Sequence, residues 1–231
     1  MTNRAIQSNL RCVIVGMGTL PLRCAEIIIE NGHDLAAVIS TDSKLSSWIR
    51  GHAIPVYSST KEFLDNFQEP FDYLFSIVND RILRREILHL PRRATINYHD
   101  GPLPRYAGTH ATSWALMNRE RQHGITWHLA NDIVDAGDIL IQKAVDITDD
   151  ETAHSLNTKC YQAAAVAFNE LIGELSSGYC KAWAQDLAER TFFPRFDRTA
   201  NGGIISWNSS SKDISALVRA LDFGPHPNPL D

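Results

Sequence analysis

Short apolar runs at residues 10–15, 35–39, 54–57, 73–78 and 94–98 alternate with segments of helical periodicity, and this alternation restricts the fold more than any other feature. The runs carry little polar alternation, so they read as strands buried on both faces. Strands of that kind, separated by helices, predict a doubly wound α/β fold, a mostly parallel sheet with helices on both faces. The first run breaks at Gly16-Met17-Gly18, after which Leu22, Ala25, Ile28 and Ile29 recur at helical spacing. Leu45, Trp48 and Ile49 predict a short helix. Further helices are expected over 60–67, 79–90 (stopped by Pro91), 111–118, 152–175 and 212–221, with strands at 125–130 and 139–145.

At 231 residues and 44% hydrophobic composition, the chain can bury one full core and carry a small C-terminal appendage. Lys and Arg number 22 against 27 Asp and Glu, a net charge of -5, which gives no electrostatic footprint for nucleic acid or an anionic membrane. No apolar run approaches a membrane span, and the first ten residues do not read as a signal peptide, so a cytoplasmic protein is expected. Cys12, Cys24, Cys160 and Cys180 are too scattered for a disulfide framework or a ligand pair, and read as buried free thiols.

The glycines at 16 and 18 raise the possibility of dinucleotide binding, but Pro21 stands where the fingerprint needs its third glycine, and Asp42 lies a little beyond the usual spacing for the ribose-binding acid. A tight strand-to-helix turn is the better reading. Metal hydrolysis fits poorly, because the histidines include no His-Glu-x-x-His, and the pair His123 and His128 spans a strand start. Serine catalysis lacks a Gly-x-Ser-x-Gly elbow.

Asn97-Tyr98-His99 ends the strand at 94–98, so Asn97 and His99 point to one side and Tyr98 to the other. The carboxyl ends of strands are where open α/β sheets place ligands. Asp135 lies in an irregular loop in which Gly137 allows a sharp turn, and its carboxylate could reach the imidazole. An amide, a histidine and an aspartate suit acyl transfer without a covalent nucleophile: amide and imidazolium stabilise an oxyanion, and the carboxylate favours imidazolium and takes the amine's proton. From spacing alone a second reading stays open, in which Asn97 caps the strand end and His99 is a structural histidine.

Asn97-Tyr98-His99, the Leu103-Pro104 step, Gly108 and Asp135-x-Gly137 together resemble the 10-formyltetrahydrofolate-dependent formyltransferases, over about residues 10–175. The resemblance implies a Rossmann-like domain that binds neither NAD nor a metal, here residues 1–190. Residues 191–231 would begin a C-terminal subdomain that is cut short. It further implies that Asn97 and His99 hold the formyl oxygen while Asp135 pairs with His99, and that 10-formyltetrahydrofolate is the donor. By position, Arg81, Ile82 and Leu83 would meet the pterin, with Asp132, Ile133 and Val134 in the opposite wall. The family's loop reads His-x-Ser-Leu-Leu-Pro, whereas this chain has Gly101 in place of the serine.

The wording of 97–115 and of 123–128 is most similar to the formylation domains of nonribosomal peptide synthetases. That likeness implies an aminoacyl acceptor tethered to a carrier protein, with downstream synthetase domains as partners. Arg92-Arg93 and Arg105 are candidates for docking an acidic carrier. A nucleotide-linked amino sugar is the alternative acceptor, and a noncatalytic folate-binding module the reading from another class.

Overall fold

The computed structural model describes residues 8–226 and 230. A seven-stranded sheet contains β1 (Arg11–Gly16), β2 (Asp34–Ile39), β3 (Val56–Tyr57), β4 (Tyr73–Ile77), β5 (Ala94–His99), β7 (Gln122–Leu129) and β8 (Ile139–Asp146). Its order is β3-β2-β1-β4-β5-β7-β8. Strands β1 to β5 pair in parallel, whereas β5–β7 and β7–β8 are antiparallel. The chain winds outward from β1 to β3 and then returns to the other side of β1 at β4. This is the reversal at which open α/β sheets form a crevice. The expected doubly wound, mostly parallel sheet is therefore present.

Period-2 alternation divides the core between the two faces. Cys12 and Ile14 pack on one side with α1 (Thr19–Glu30) and α6 (Ala153–Ser177), and Val13 and Val15 pack on the other with Phe63 of α3 (Thr60–Asn66). Helix α2 (Ser43–Gly51) adds Leu45 and Ile49 to the first side. Helix α6 starts in a capping box, with the Thr152 hydroxyl accepting from Ser155 N and the Ser155 hydroxyl accepting from Thr152 N. Its buried Phe168 lies over Trp127 of β7, ring centroids 5.0 Å apart. Helix α5 (Ala111–Met117) carries α7 (Ser211–Leu221), which also contacts α6, and the Arg219 guanidinium of α7 donates to Glu151 O, just ahead of α6, at 2.8 Å.

Two expectations need correction. The helix predicted over 79–90 is reduced to α4 (Arg85–Leu88). Val78 adopts φ 50, and the Asn79 side chain accepts from Arg81 N at 3.2 Å and donates to Arg81 O at 2.8 Å. That local bonding competes with helical bonding and leaves 79–84 as a loop. The second difference is an unpredicted parallel pair, β6 (Ala107–Gly108) with β9 (Phe192–Phe193). Two-residue strands carry no readable period.

Candidate active site

Strands β5 and β7 face each other in a register that sets Asn97 opposite His128 and His99 opposite Thr126. All four therefore project from the side of the sheet turned away from α6. There, loops and the end of α4 enclose a cleft of about 760 Å³. Met17, Ser76 and Val78 from the topological reversal form one end of it, and Phe192 to Phe196 form another wall.

Asn97, His99 and Asp135 come together as the sequence predicts. The carboxylate Oδ2 of Asp135 lies 3.6 Å from His99 Nδ1 and accepts from Gly108 N at 2.8 Å. His99 donates from Nε2 to Tyr106 O at 2.7 Å, which leaves Nδ1 as the ring atom turned to the carboxylate. His99 and Asp135 are 5% and 8% exposed, so water screens their attraction little. Burial pushes the Asp135 carboxyl up, but the charge of His99, the contact with His128 and the Gly108 N–H outweigh it and hold the group well below the ordinary carboxylate range.

Sequence reasoning missed His128. Its Nδ1 donates to Leu129 O at 2.9 Å, and its Nε2 lies 3.1 Å from Asn97 Nδ2 and 3.5 Å from Asp135 Oδ1. Only the β5–β7 register reveals this placement. His123, the other half of the dismissed pair, donates instead to Asp100 O at 2.6 Å, and burial lowers its pKa.

Backbone geometry fixes the constellation. Asp135 has φ 53, and Val78, Tyr106 and His110 around the same cleft also lie in the left-handed region, at 50, 59 and 60. Such conformations persist only where their surroundings impose them. At Gly137 an added Cβ would stand 1.8 Å from Leu129 O, so the turn after Asp135 has no room for a side chain. At Gly101 a Cβ would stand 2.6 Å from His99 Nε2, so a side chain there would displace the ring from this position.

Of the predicted donor contacts, Arg81, Ile82, Leu83, Ile133 and Val134 line the cleft. Asp132 does not. Its carboxylate turns outward and takes both ends of the Arg85 guanidinium, with Nε at 3.0 and 3.2 Å. The docking arginines are also largely compensated: Arg105 pairs with Glu120 and lies over Tyr106, and Arg93 sits over Tyr73 with Asp72 at 3.9 Å. Thr109 Oγ1 and His110 Nε2, both in residues that line the cleft, are buried without a hydrogen-bond partner, and burial lowers the His110 pKa. These are polar atoms suited to a ligand.

The segment 183–196 was also missed. Phe193 stacks on Trp114 at 4.8 Å and on Tyr106 at 5.6 Å, and Arg195 donates to Asp80 O at 2.8 Å across the cleft mouth. The division drawn at 190/191 thus runs through a wall of the site. The cluster Phe192-Phe193 in a polar stretch was the available signal.

The glycine turn holds no free cradle: Gly18 N donates to Asp42 Oδ2 at 3.3 Å, while Asp42 Oδ1 caps α2 by accepting from Leu45 N at 2.8 Å. A smaller hollow of about 480 Å³ at the β2–β3 edge contains Arg11, already paired with Asp34 and Glu69. Among the described residues, no group of three or more His, Cys, Asp or Glu is placed to hold a metal, and no helix is long and apolar enough to cross a membrane. Cys12, Cys24 and Cys160 are buried free thiols as expected, and Cys180 is half-buried.

The chain's resemblances agree with this geometry. Residues 72–172, the span from β4 through most of α6, match the family described as Formyl transferase. Methionyl-tRNA formyltransferase of Acetivibrio thermocellus is 27% identical over 234 residues, covering 94% of this chain and 74% of that protein. Among solved structures, WlaRD, a sugar 3N-formyl transferase determined with dTDP and 5-N-formyl-THF, superposes with a TM-score of 0.79 at 20% identity, over 92% of this chain and 79% of that one. The N-formyltransferase of Helicobacter canadensis, in complex with folinic acid and dTDP-3-aminofucose, also gives 0.79 at 20% identity, over 92% and 80%. The fold is thus shared with solved formyltransferase structures, and Asn97, His99 and Asp135 lie within the span that matches the Formyl transferase family.

Proposed function

We propose that the cleft transfers a formyl group from 10-formyltetrahydrofolate to a primary amine. The observation that carries this reading is the buried contact of Asp135 with His99 beside Asn97, at the carboxyl end of β5. As the amine nitrogen bonds to the formyl carbon, negative charge grows on the formyl oxygen. The Asn97 amide and the His99 imidazolium face that charge, and Asp135 supplies the counter-charge to His99. The carbon–nitrogen bond to the folate then breaks, and the proton lost by the amine passes by way of Asp135 and His99 toward the departing nitrogen. No covalent enzyme intermediate is needed.

The residues present fit the donor. Ile82, Leu83, Ile133 and Val134 give an apolar slot for a planar ring.

For the acceptor, the wording of 97–115 and 123–128 supports an aminoacyl group tethered to a carrier protein. The relatives above are named for methionyl-tRNA or for sugars, so this finer assignment rests on the motif alone. A nucleotide-linked amino sugar is the second reading, supported by superposition on two proteins determined with dTDP or a dTDP-sugar. The test is tetrahydrofolate release from 10-formyltetrahydrofolate, followed by ultraviolet absorbance, with each amine in turn. Turnover on the carrier-bound aminoacyl group supports the first reading, and turnover on the dTDP-amino sugar alone replaces it with the second. Donor binding without turnover on any amine sinks the transfer mechanism.

A further inference from the structure

We propose that Gln185 is a positioning residue for Asp135, clamping the turn that carries the carboxylate from outside the matched domain. Trp183 and Ile139 exchange both backbone hydrogen bonds, Ile139 N to Trp183 O at 2.8 Å and Trp183 N to Ile139 O at 2.9 Å. Two residues along each antiparallel strand, this register sets Gln185 opposite Gly137. The Gln185 amide nitrogen then donates to Asp135 O at 3.1 Å and to Gly137 O at 2.6 Å. Both partners are carbonyls that can only accept, so the amide orientation is fixed and both of its hydrogens are engaged.

The two bonds span Ala136 and hold the carbonyl of Asp135, whose φ of 53 lies in the left-handed region. Relaxation of that dihedral would swing Oδ2 away from His99 Nδ1 and Gly108 N, the contacts that define the site. Arg190 adds a second strut, donating to Val134 O at 2.9 Å. Residues 72–172 therefore carry the reacting side chains, while a segment beyond them holds Asp135 in place.

The turnover part of the test rests on the transfer reading; the exchange part does not. Gln185→Met keeps the side chain's length and removes both donors. Its expected turnover number is about 10–100-fold below wild type, with the KM for 10-formyltetrahydrofolate changed less than about threefold, because misplacing a reacting group costs rate more than binding. Gln185→Glu, which replaces the donors with an anion facing two carbonyls, should lose at least as much.

Amide hydrogen exchange reads the positioning directly. Gly108 N–H, bonded to the Asp135 carboxylate, should exchange faster in Gln185→Met. The flanking Ala107 and Thr109 N–H groups, bonded to Thr191 O and Phe193 O, should keep their protection. Unchanged turnover together with unchanged Gly108 exchange overturns the proposal. Equal loss of protection at 107, 108 and 109 also overturns it, since Gln185 would then hold the fold and not the carboxylate. If wild-type protein transfers formyl to no amine, the transfer reading fails while the Gly108 measurement still decides this one.

Discussion

Tyr98 and Trp127 stand next to Asn97 and His128 on the same two strands, yet they belong to opposite kinds of environment. On the α6 side, Tyr98 and Trp127 pack with ring centroids 5.3 Å apart under a 25-residue helix, and the indole N–H donates to Ala164 O at 3.2 Å. On the other side, the one-turn α4 meets the start of β5, its Leu88 O accepting from Thr95 Oγ1 at 2.7 Å, and polar side chains meet loops whose backbone is held in rare conformations. One strand pair thus serves stability on one face and chemistry on the other. Because side chains alternate, a shift of one residue in register would exchange the two sets.

The contrast is broken most severely by Trp127→Ala. Emptying a fully buried indole site should cost about 3–5 kcal/mol of unfolding free energy, read by urea titration, and any surviving folded fraction should keep its turnover per molecule. On the reactive face the pattern inverts. Asn97→Ala and His99→Ala should each lose about 10²–10³ in turnover, and in Asn97→Ala the urea midpoint should move little. Near-wild-type turnover in either variant contradicts the assigned roles.

A smaller effect comes from the Asp135 carboxyl. Its folded pKa lies below the unfolded value of about 3.9, so its contribution to stability is complete above that pH and is lost as pH falls toward the folded value. On acidification below about pH 4, wild type should therefore lose more stability than Asp135→Asn, compared by thermal melts. The smallest effect is expected at Asp132, whose pairing with Arg85 is on the surface. Asp132→Ala should leave the melting temperature and the affinity for folinic acid unchanged. A marked loss of folinic acid binding would return this residue to the cleft.

Elements with a long apolar period were legible in the sequence. Strands β1, β2, β4, β5, β7 and β8 and helices α1, α5, α6 and α7 lie close to the predicted positions, because burial writes itself into residue order. The three residues of the centre were also legible, two by alternation along one strand and Asp135 by its glycine turn. What stayed hidden depends on distant partners. His128 joins the site only because β7 pairs antiparallel with β5 in one register, and Gln185 only because Trp183 meets Ile139. The loop at 79–84 looked helical because its residue types tolerate a helix, whereas the Asn79 side chain captures the backbone first.

The pairing of β6 with β9 bears on how such a domain can be cut and moved. Phe192 and Phe193 return from far along the chain to lie beside Ala107 and Gly108, so the last wall of the cleft is also the last part of it to be synthesised. A graft bounded at residue 172 would transplant Asn97, His99 and Asp135 yet leave behind Gln185, Phe193 and Arg195. It would also omit β1 to β3, against which the sheet is built. A transferable cassette therefore has to run from before β1 to beyond α7, which packs on α5 and α6.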